Sequence, residues 1–175
     1  MRKTRTAQLT LCALFAALNA ILSQLMLPIG PVPVTMTHVS IFMAAGLLGA
    51  KYGAASQIVY VCIGVAGAPV FAGFMGGAGV LAGPTGGFLL GYVLCAFVTG
   101  LLAERFGRSV KALIPAMYAG WVATYVPGVL WFMYVTNLSL SAALPLCVLP
   151  FLPGDLLKTI LSAVLINRLW PFFRG

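Results

Sequence analysis

The sequence predicts an all-α integral membrane protein, a compact bundle of six transmembrane helices forming a single domain over residues 1–175. Three observations predict it. First, 62% of the residues are hydrophobic, only 7% are charged, and mean hydropathy is +1.08. A soluble domain carries roughly 25% charged residues to hydrate its surface, and 175 residues cannot hide this much apolar surface from water. Second, the apolar residues fall into six runs separated by Gly, Pro or charge. Third, the basic residues collect in alternate gaps between those runs.

The six segments are 7–27, 36–50, 53–67, 87–104, 110–135 and 151–170. The first follows MRKTRT and resembles a signal peptide only at its start. Its apolar run continues to Leu27, and no small-residue cleavage site precedes a soluble domain, so it reads as a retained helix. Segments two and three are short for a bilayer core that takes about 20 residues. They must extend into flanking loops, tilt, or meet thinned lipid. With a cytoplasmic N-terminus, the inner gaps hold Arg2, Lys3, Arg5, Lys51, Arg105, Arg108, Lys111, Arg168 and Arg174. The outer connections 28–35, 68–86 and 136–150 hold no Lys or Arg. That bias is the positive-inside pattern, and it places both termini in the cytoplasm and the chain in the cell membrane. The net charge of +8 is therefore topological and does not indicate nucleic acid.

Chemistry-bearing motifs are few. Cys12, Cys62, Cys95 and Cys147 each lie in apolar segments without CxxC pairing and read as buried structural thiols. His38, the one histidine, has no partner at metal-ligand spacing. It reads as a polar boundary residue at the outer start of segment two, with an approach to a site as the alternative. GGAGVLAG lacks the preceding strand of a dinucleotide fold, and no GxxxxGK[ST] is present.

The tenth basic residue is Lys158, one turn after Asp155, which is one of only two acidic residues in the chain. Spaced i, i+3 inside the outer end of the last segment, the pair shares one helix face. Ionisable groups at membrane depth cost a few kcal/mol and usually face a ligand or pathway. The other reading is structural: Asp155 caps the helix after Pro153 and Gly154, while Lys158 snorkels to the headgroups. Around this pair lie outer connections rich in Gly and Pro. LPIGPVPVT favours an extended path. APVFAGFMGGAGVLAGPTGG is too Gly-rich for a good helix and would be poorly satisfied against lipid. It suits a loop folded over a ligand cavity, with Phe71, Phe74 and Met75 as an apolar lid, or one that merely closes the bundle. On the first segment, Ala13/Ala17 and Ala16/Ala20 form two small-xxx-small pairs, suited to packing within the bundle or against another membrane subunit.

GPVPVT at 30–35, GAPVFAG at 67–73, GPTGG at 83–87 and PFLPGDLLK at 150–158, in that order and at those separations, resemble the BioY family of biotin-specific S-components of energy-coupling factor (ECF) transporters. The resemblance spans almost the whole chain. It implies a six-helix transmembrane substrate-binding domain that captures biotin from outside, with no catalytic activity, metal or cofactor. It also implies a membrane coupling subunit (T-component) and two ATP-binding cassette ATPases as partners. It carries the ligand role onto Asp155 and Lys158, and contact with the coupling subunit onto Ala13 and Ala17, with Ala16 and Ala20 beside them. Biotin's ureido ring, with two N–H donors and a carbonyl, complements a carboxylate and an ammonium. Its thiophane and valeryl parts match apolar walls such as Phe71, Phe74, Met75 and Tyr60, and Thr85 and Thr35 are candidate hydroxyl partners. Lys158 meets either the ureido group or the biotin carboxylate. The competing classes are an autonomous secondary transporter of a small vitamin-like molecule, which the short chain disfavours, and an intramembrane enzyme, for which no nucleophile–base set is apparent.

Overall fold

Helices traverse the computed structural model repeatedly, and it describes residues 4–28 and 31–173. Arg2, Lys3, Gly30 and Arg174 of the sequence motifs lie outside the described residues. The order is α1 (Arg5–Gln24), β1 (Met26–Leu27), β2 (Val34–Thr35), α2 (Thr37–Val65), α3 (Gly79–Ala82), α4 (Gly86–Phe106), α5 (Val110–Thr136), α6 (Leu140–Cys147) and α7 (Leu152–Phe173). Five of these helices are long and apolar enough to cross a membrane. The sixth traverse is hidden inside α2.

Gly49 interrupts α2 with φ 85° and ψ −177°, a backbone conformation essentially restricted to glycine. The chain reverses there. A Cβ on Gly53 would lie 2.8 Å from the Cα of Ala45, which a straight helix would hold two turns away. Thr37–Val65 is thus two antiparallel legs, matching segments two and three except that the break falls at Gly49 rather than at 51–52. The second leg begins with an orphan amide, and Glu104 supplies the acceptor: Ala50 N donates to its Oε1 at 3.1 Å. One of the two acidic residues is therefore spent on a helix start. Gly107, in the same glycine-only conformation, turns α4 into α5 (φ 90°, ψ 179°). Arg108 then donates from Nε to Gly46 O at 2.6 Å and lies 3.6 Å over the ring of Trp170, drawing α7 onto the same end. The basic turns are thus gathered at one end of the bundle.

The core forms where α2, α4 and α5 pack side by side, with α1 against α2 and α7 against both α2 and α5. Backbones approach closely: a Cβ on Gly100 would meet Ala50 N at 2.5 Å. The apolar core includes Phe42, Leu113, Met117, Cys95 and Ile166, all fully buried. Through it runs a buried polar chain. Asn19 Nδ2 donates to Gln57 Oε1 at 2.9 Å, Ser40 donates to Asn19 Oδ1, and Gln57 Nε2 donates to Ser56 Oγ. Partnered in this way, four buried polar side chains tie α1 to both legs of α2 without orphaned groups. Cys12, Cys95 and Cys147 are buried as expected, but Cys62 is exposed on the outward face of α2. The periodicity of an all-apolar run gave no sign of which face would look out.

Gly49→Ala is expected to lower thermal stability. It forces a side chain into a glycine-only conformation at about 1–3 kcal/mol, with its Cβ driven into Glu104 Oε1. Glu104→Gln keeps the acceptor and should melt close to the parent. A detergent melt of the two variants compares them, and equal losses would remove the steric argument.

Candidate ligand site

At the end opposite the basic turns, β1 and β2 pair antiparallel, Met26 with Thr35 and Leu27 with Val34, to form a hairpin over the bundle. Beneath it lie two adjoining chambers of about 350 and 430 Å³, counting space open to solvent. They share Val32, Pro33, Thr35, Phe88 and Tyr92 as common wall.

The first chamber contains the charge pair. Asp155 and Lys158 are each only 5% exposed, and Lys158 Nζ lies 3.2 Å from Asp155 Oδ1. The second carboxylate oxygen accepts from the hydroxyl of Tyr125. Both structural alternatives for the pair fail on this geometry. Helix α7 begins at Leu152, so Asp155 stands inside the helix with its own amide bonded to Phe151 O at 2.8 Å. Its carboxylate takes side-chain donors instead of capping the backbone. Lys158 is buried and turned to that carboxylate, so it does not snorkel. Such a pair contributes little stability: well-packed apolar residues in its place are often neutral or better by about 1–4 kcal/mol. Its presence therefore points to a ligand.

Aromatic rings form much of the rest of this chamber. His38 stacks on Trp121 with centroids 3.9 Å apart, Trp121 stacks on Tyr125 at 5.6 Å, and Lys158 Nζ lies 5.7 Å from the Trp121 centroid. Trp121 Nε1 donates to Thr159 Oγ1 at 3.0 Å, fixing α5 against α7. His38 is 7% exposed and lines the chamber, which corrects its reading as a boundary residue: the start of α2 packs among the aromatic rings of α4 and α5. Trp121, Tyr125 and Tyr92 were not anticipated as site residues. The available signal was Trp121 and Tyr125 at i, i+4, on the helix facing the one that carries the buried carboxylate.

The second chamber takes Thr35, Tyr60, Phe71, Met75 and Thr85 into its wall, together with Ser23. Phe74 departs from expectation. It is 70% exposed and lines neither chamber, because the tight turn Ala72–Phe74 leaves it at φ 57° with its ring outward. Phe71 points in, its ring filling the space over Gly64. Helix α1 holds this loop from below. Gln24 Nε2 donates to Phe71 O at 3.0 Å while Phe74 N donates to Gln24 Oε1 at 2.9 Å. Ser23 Oγ and Tyr60 OH both donate to Val70 O, at 2.7 and 3.1 Å.

The alanines of α1 divide. Ala13 and Ala17 are exposed on the outer face, whereas Ala16 is buried beside Tyr60, Phe71 and Leu89, and Ala20 packs at the edge of that cluster. The outward strip is thus Ala13/Ala17 alone. The 100° step of the helix turns the second pair inward. Among the described residues no cluster of His, Cys, Asp or Glu could hold a metal ion.

Gln24→Ala is expected to speed hydrogen exchange at the amides of residues 70–76, since it removes two hydrogen bonds of about 0.5–1.5 kcal/mol each. Mass spectrometry after deuterium labelling reads this segment directly. Unchanged protection would show that Ser23 and Tyr60 alone suffice to hold the loop.

Comparison with known proteins agrees along the whole length. The profile of the BioY family matches residues 1–175. The biotin transporter BioY of Thermotoga maritima is 39% identical over 162 residues, covering 93% of this chain and 95% of that one. The BioY of Rhodobacter capsulatus is 38% identical, with 89% and 88% covered, and the probable biotin transporter BioY of Pyrococcus horikoshii is 33% identical, with 94% and 97% covered. Among solved structures, the crystal structure of the S-component for biotin from an ECF-type ABC transporter superposes with a TM-score of 0.88 at 30% identity, covering 97% of this chain and 93% of that one.

Proposed function

We propose, since this chain belongs to the BioY family, that it is the membrane-embedded biotin-binding S-component of an ECF transporter. It captures biotin from outside and catalyses no reaction. The observation that carries the ligand assignment is the buried Asp155–Lys158 pair, set in a chamber walled by aromatic rings.

The ureido ring fits this chamber. Its N–H groups donate to the carboxylate of Asp155, which Tyr125 and Lys158 already hold in one orientation. The ureido carbonyl accepts from an ammonium hydrogen of Lys158 that the carboxylate does not use. Trp121 and His38 stack beside the bicyclic ring. The valeryl chain then passes Phe88 and Tyr92 into the second chamber, between Phe71 and Met75, towards the hydroxyls of Thr35 and Thr85. With the loop of residues 68–76 above it, the ligand is largely enclosed, as small-molecule sites usually are.

The partners are those of an ECF-type transporter: a membrane coupling subunit and ATP-binding cassette ATPases, two of the latter. Exposed Ala13 and Ala17 form the flat part of α1 that a helix of the coupling subunit meets closely. The positive-inside pattern supports a basic end facing the cytoplasm, with both termini inside and the chambers open to the exterior.

Asp155→Asn is expected to weaken biotin binding by roughly ten- to a hundredfold, the worth of a charge-assisted hydrogen bond. Calorimetry on the purified chain with biotin, biotin methyl ester, riboflavin and thiamine measures it. Biotin and its methyl ester should both bind, and the other two vitamins should not. Loss of the ester alone would place the biotin carboxylate on Lys158 instead. A second test separates capture from assembly: Ala17→Trp should abolish co-purification with the coupling subunit while leaving biotin affinity within about twofold, because Ala17 faces outward and lines neither chamber. Retained assembly would move the docking face elsewhere.

A further inference from the structure

We propose that the cleft between α4 and α5 at the basic end of the bundle binds one anionic phospholipid, with an acyl chain along the cleft and the phosphate held at Lys111 and Arg105. The cleft encloses about 830 Å³, including space open to its surroundings. Its sides are apolar, formed by Leu102, Phe106, Ala112, Pro115 and Ala116, and at one end stand Ser109 and Lys111. Pro115 accounts for part of the opening: it offers no N–H to the carbonyl of Lys111 and carries no bulk beyond its ring.

Charge decides which occupant fits. Arg105 is not itself in the cleft wall, but its guanidinium lies 5.7 Å from the centroid of the Phe106 ring that is, which puts a second cation beside the cleft. Among the described residues neither of these two cations forms an ion pair. The chain has two acidic residues; Glu104 Oε1 accepts from Ala50 N, and Asp155 lies at the other end of the bundle. The third cation of this turn, Arg108, is already committed to Gly46 O and the Trp170 ring, so it faces inward and leaves the mouth to the other two. The side chain of Ser109 makes no cap to α5, so the first amides of that helix stand free beside the lysine. An apolar trough ending in two unanswered cations and free amides complements a phosphodiester with a hydrocarbon tail. Basic pockets between helices on the cytoplasmic side of membrane proteins bind such headgroups. The cleft is separate from the strip on α1, whose packing is against α2.

The test uses the purified full chain in nanodiscs containing equal phosphatidylglycerol and phosphatidylcholine with the same acyl chains, released into native mass spectrometry. Retained phosphatidylglycerol should exceed phosphatidylcholine by on the order of tenfold, given two cations near the headgroup. The double variant Arg105→Gln/Lys111→Gln should retain both lipids equally, with an unchanged circular dichroism melt showing that it folds. Lys51→Gln, at the neighbouring basic turn, should keep the preference. Equal retention by the parent chain overturns the proposal. So does a preference that survives the double variant, or one that Lys51→Gln abolishes equally. If the double variant keeps its lipids but no longer assembles with the coupling subunit, the cleft is a protein contact and the lipid assignment falls.

Discussion

Hydrocarbon supplies no hydrogen bonds, so every backbone polar group and every charge held at membrane depth must find its partner inside the protein. The rest of the structure follows from that constraint. Helices meet it along their length. The reversals and outer connections cannot, and each one shows where the missing partner comes from. Glu104 satisfies the second leg of α2, Arg108 takes the carbonyl of Gly46, and Trp131 donates to Gly83 O at 3.0 Å where the Gly-rich loop rejoins α4. At the outer end Gln24 engages the loop with both ends of its amide, pairing with Phe71 and Phe74 as another strand would.

The same constraint separates the two acidic residues. Glu104 serves the backbone and could be replaced by a neutral acceptor without changing what the turn needs. Asp155 serves no backbone amide. Its partners are a phenol and an ammonium, both on side chains, both lining a chamber beneath the hairpin. A charged group used in this way stabilises the fold poorly and recognises a ligand well, because its oxygens are held in orientation before the ligand arrives. The aromatic stack beside it has a related effect. With Trp121 bonded to Thr159 and flanked by His38 and Tyr125, the wall does not need to be ordered on binding.

Much of this was legible in the sequence. Hydropathy gave six traverses, since that effect acts through composition alone. The pair Asp155/Lys158 stood out because charge is scarce. What remained hidden depends on facing. In a chain that is apolar on every side, periodicity does not distinguish a ring aimed at a chamber from one aimed at lipid, so it does not separate Phe74, which looks out, from Trp121, which lines the first chamber. Ala16 and Ala20 were grouped with Ala13 and Ala17 for the same reason: small-residue spacing marks a close approach without saying to what. The reversal at Gly49 was displaced by two residues because Lys51 is the obvious polar mark, whereas the break itself requires a glycine conformation that no composition signal reveals.

Helix α1 joins these features in one rigid element. Its outward face presents Ala13 and Ala17, and its inward face seats Ala16 against Tyr60 and Phe71. Further along, Asn19 is locked into the buried chain of Gln57 and Ser40. Its last turn holds the loop over the second chamber through Ser23 and Gln24. A helix rotates as a unit, so turning α1 to offer a different face outward would break the Asn19 bonds and pull Gln24 from the loop together. Leaving an amide such as Asn19 unpaired in the core costs about 1–3 kcal/mol. The polar chain therefore fixes which two alanines look out, and it does so with the same register that keeps the loop seated above Phe71.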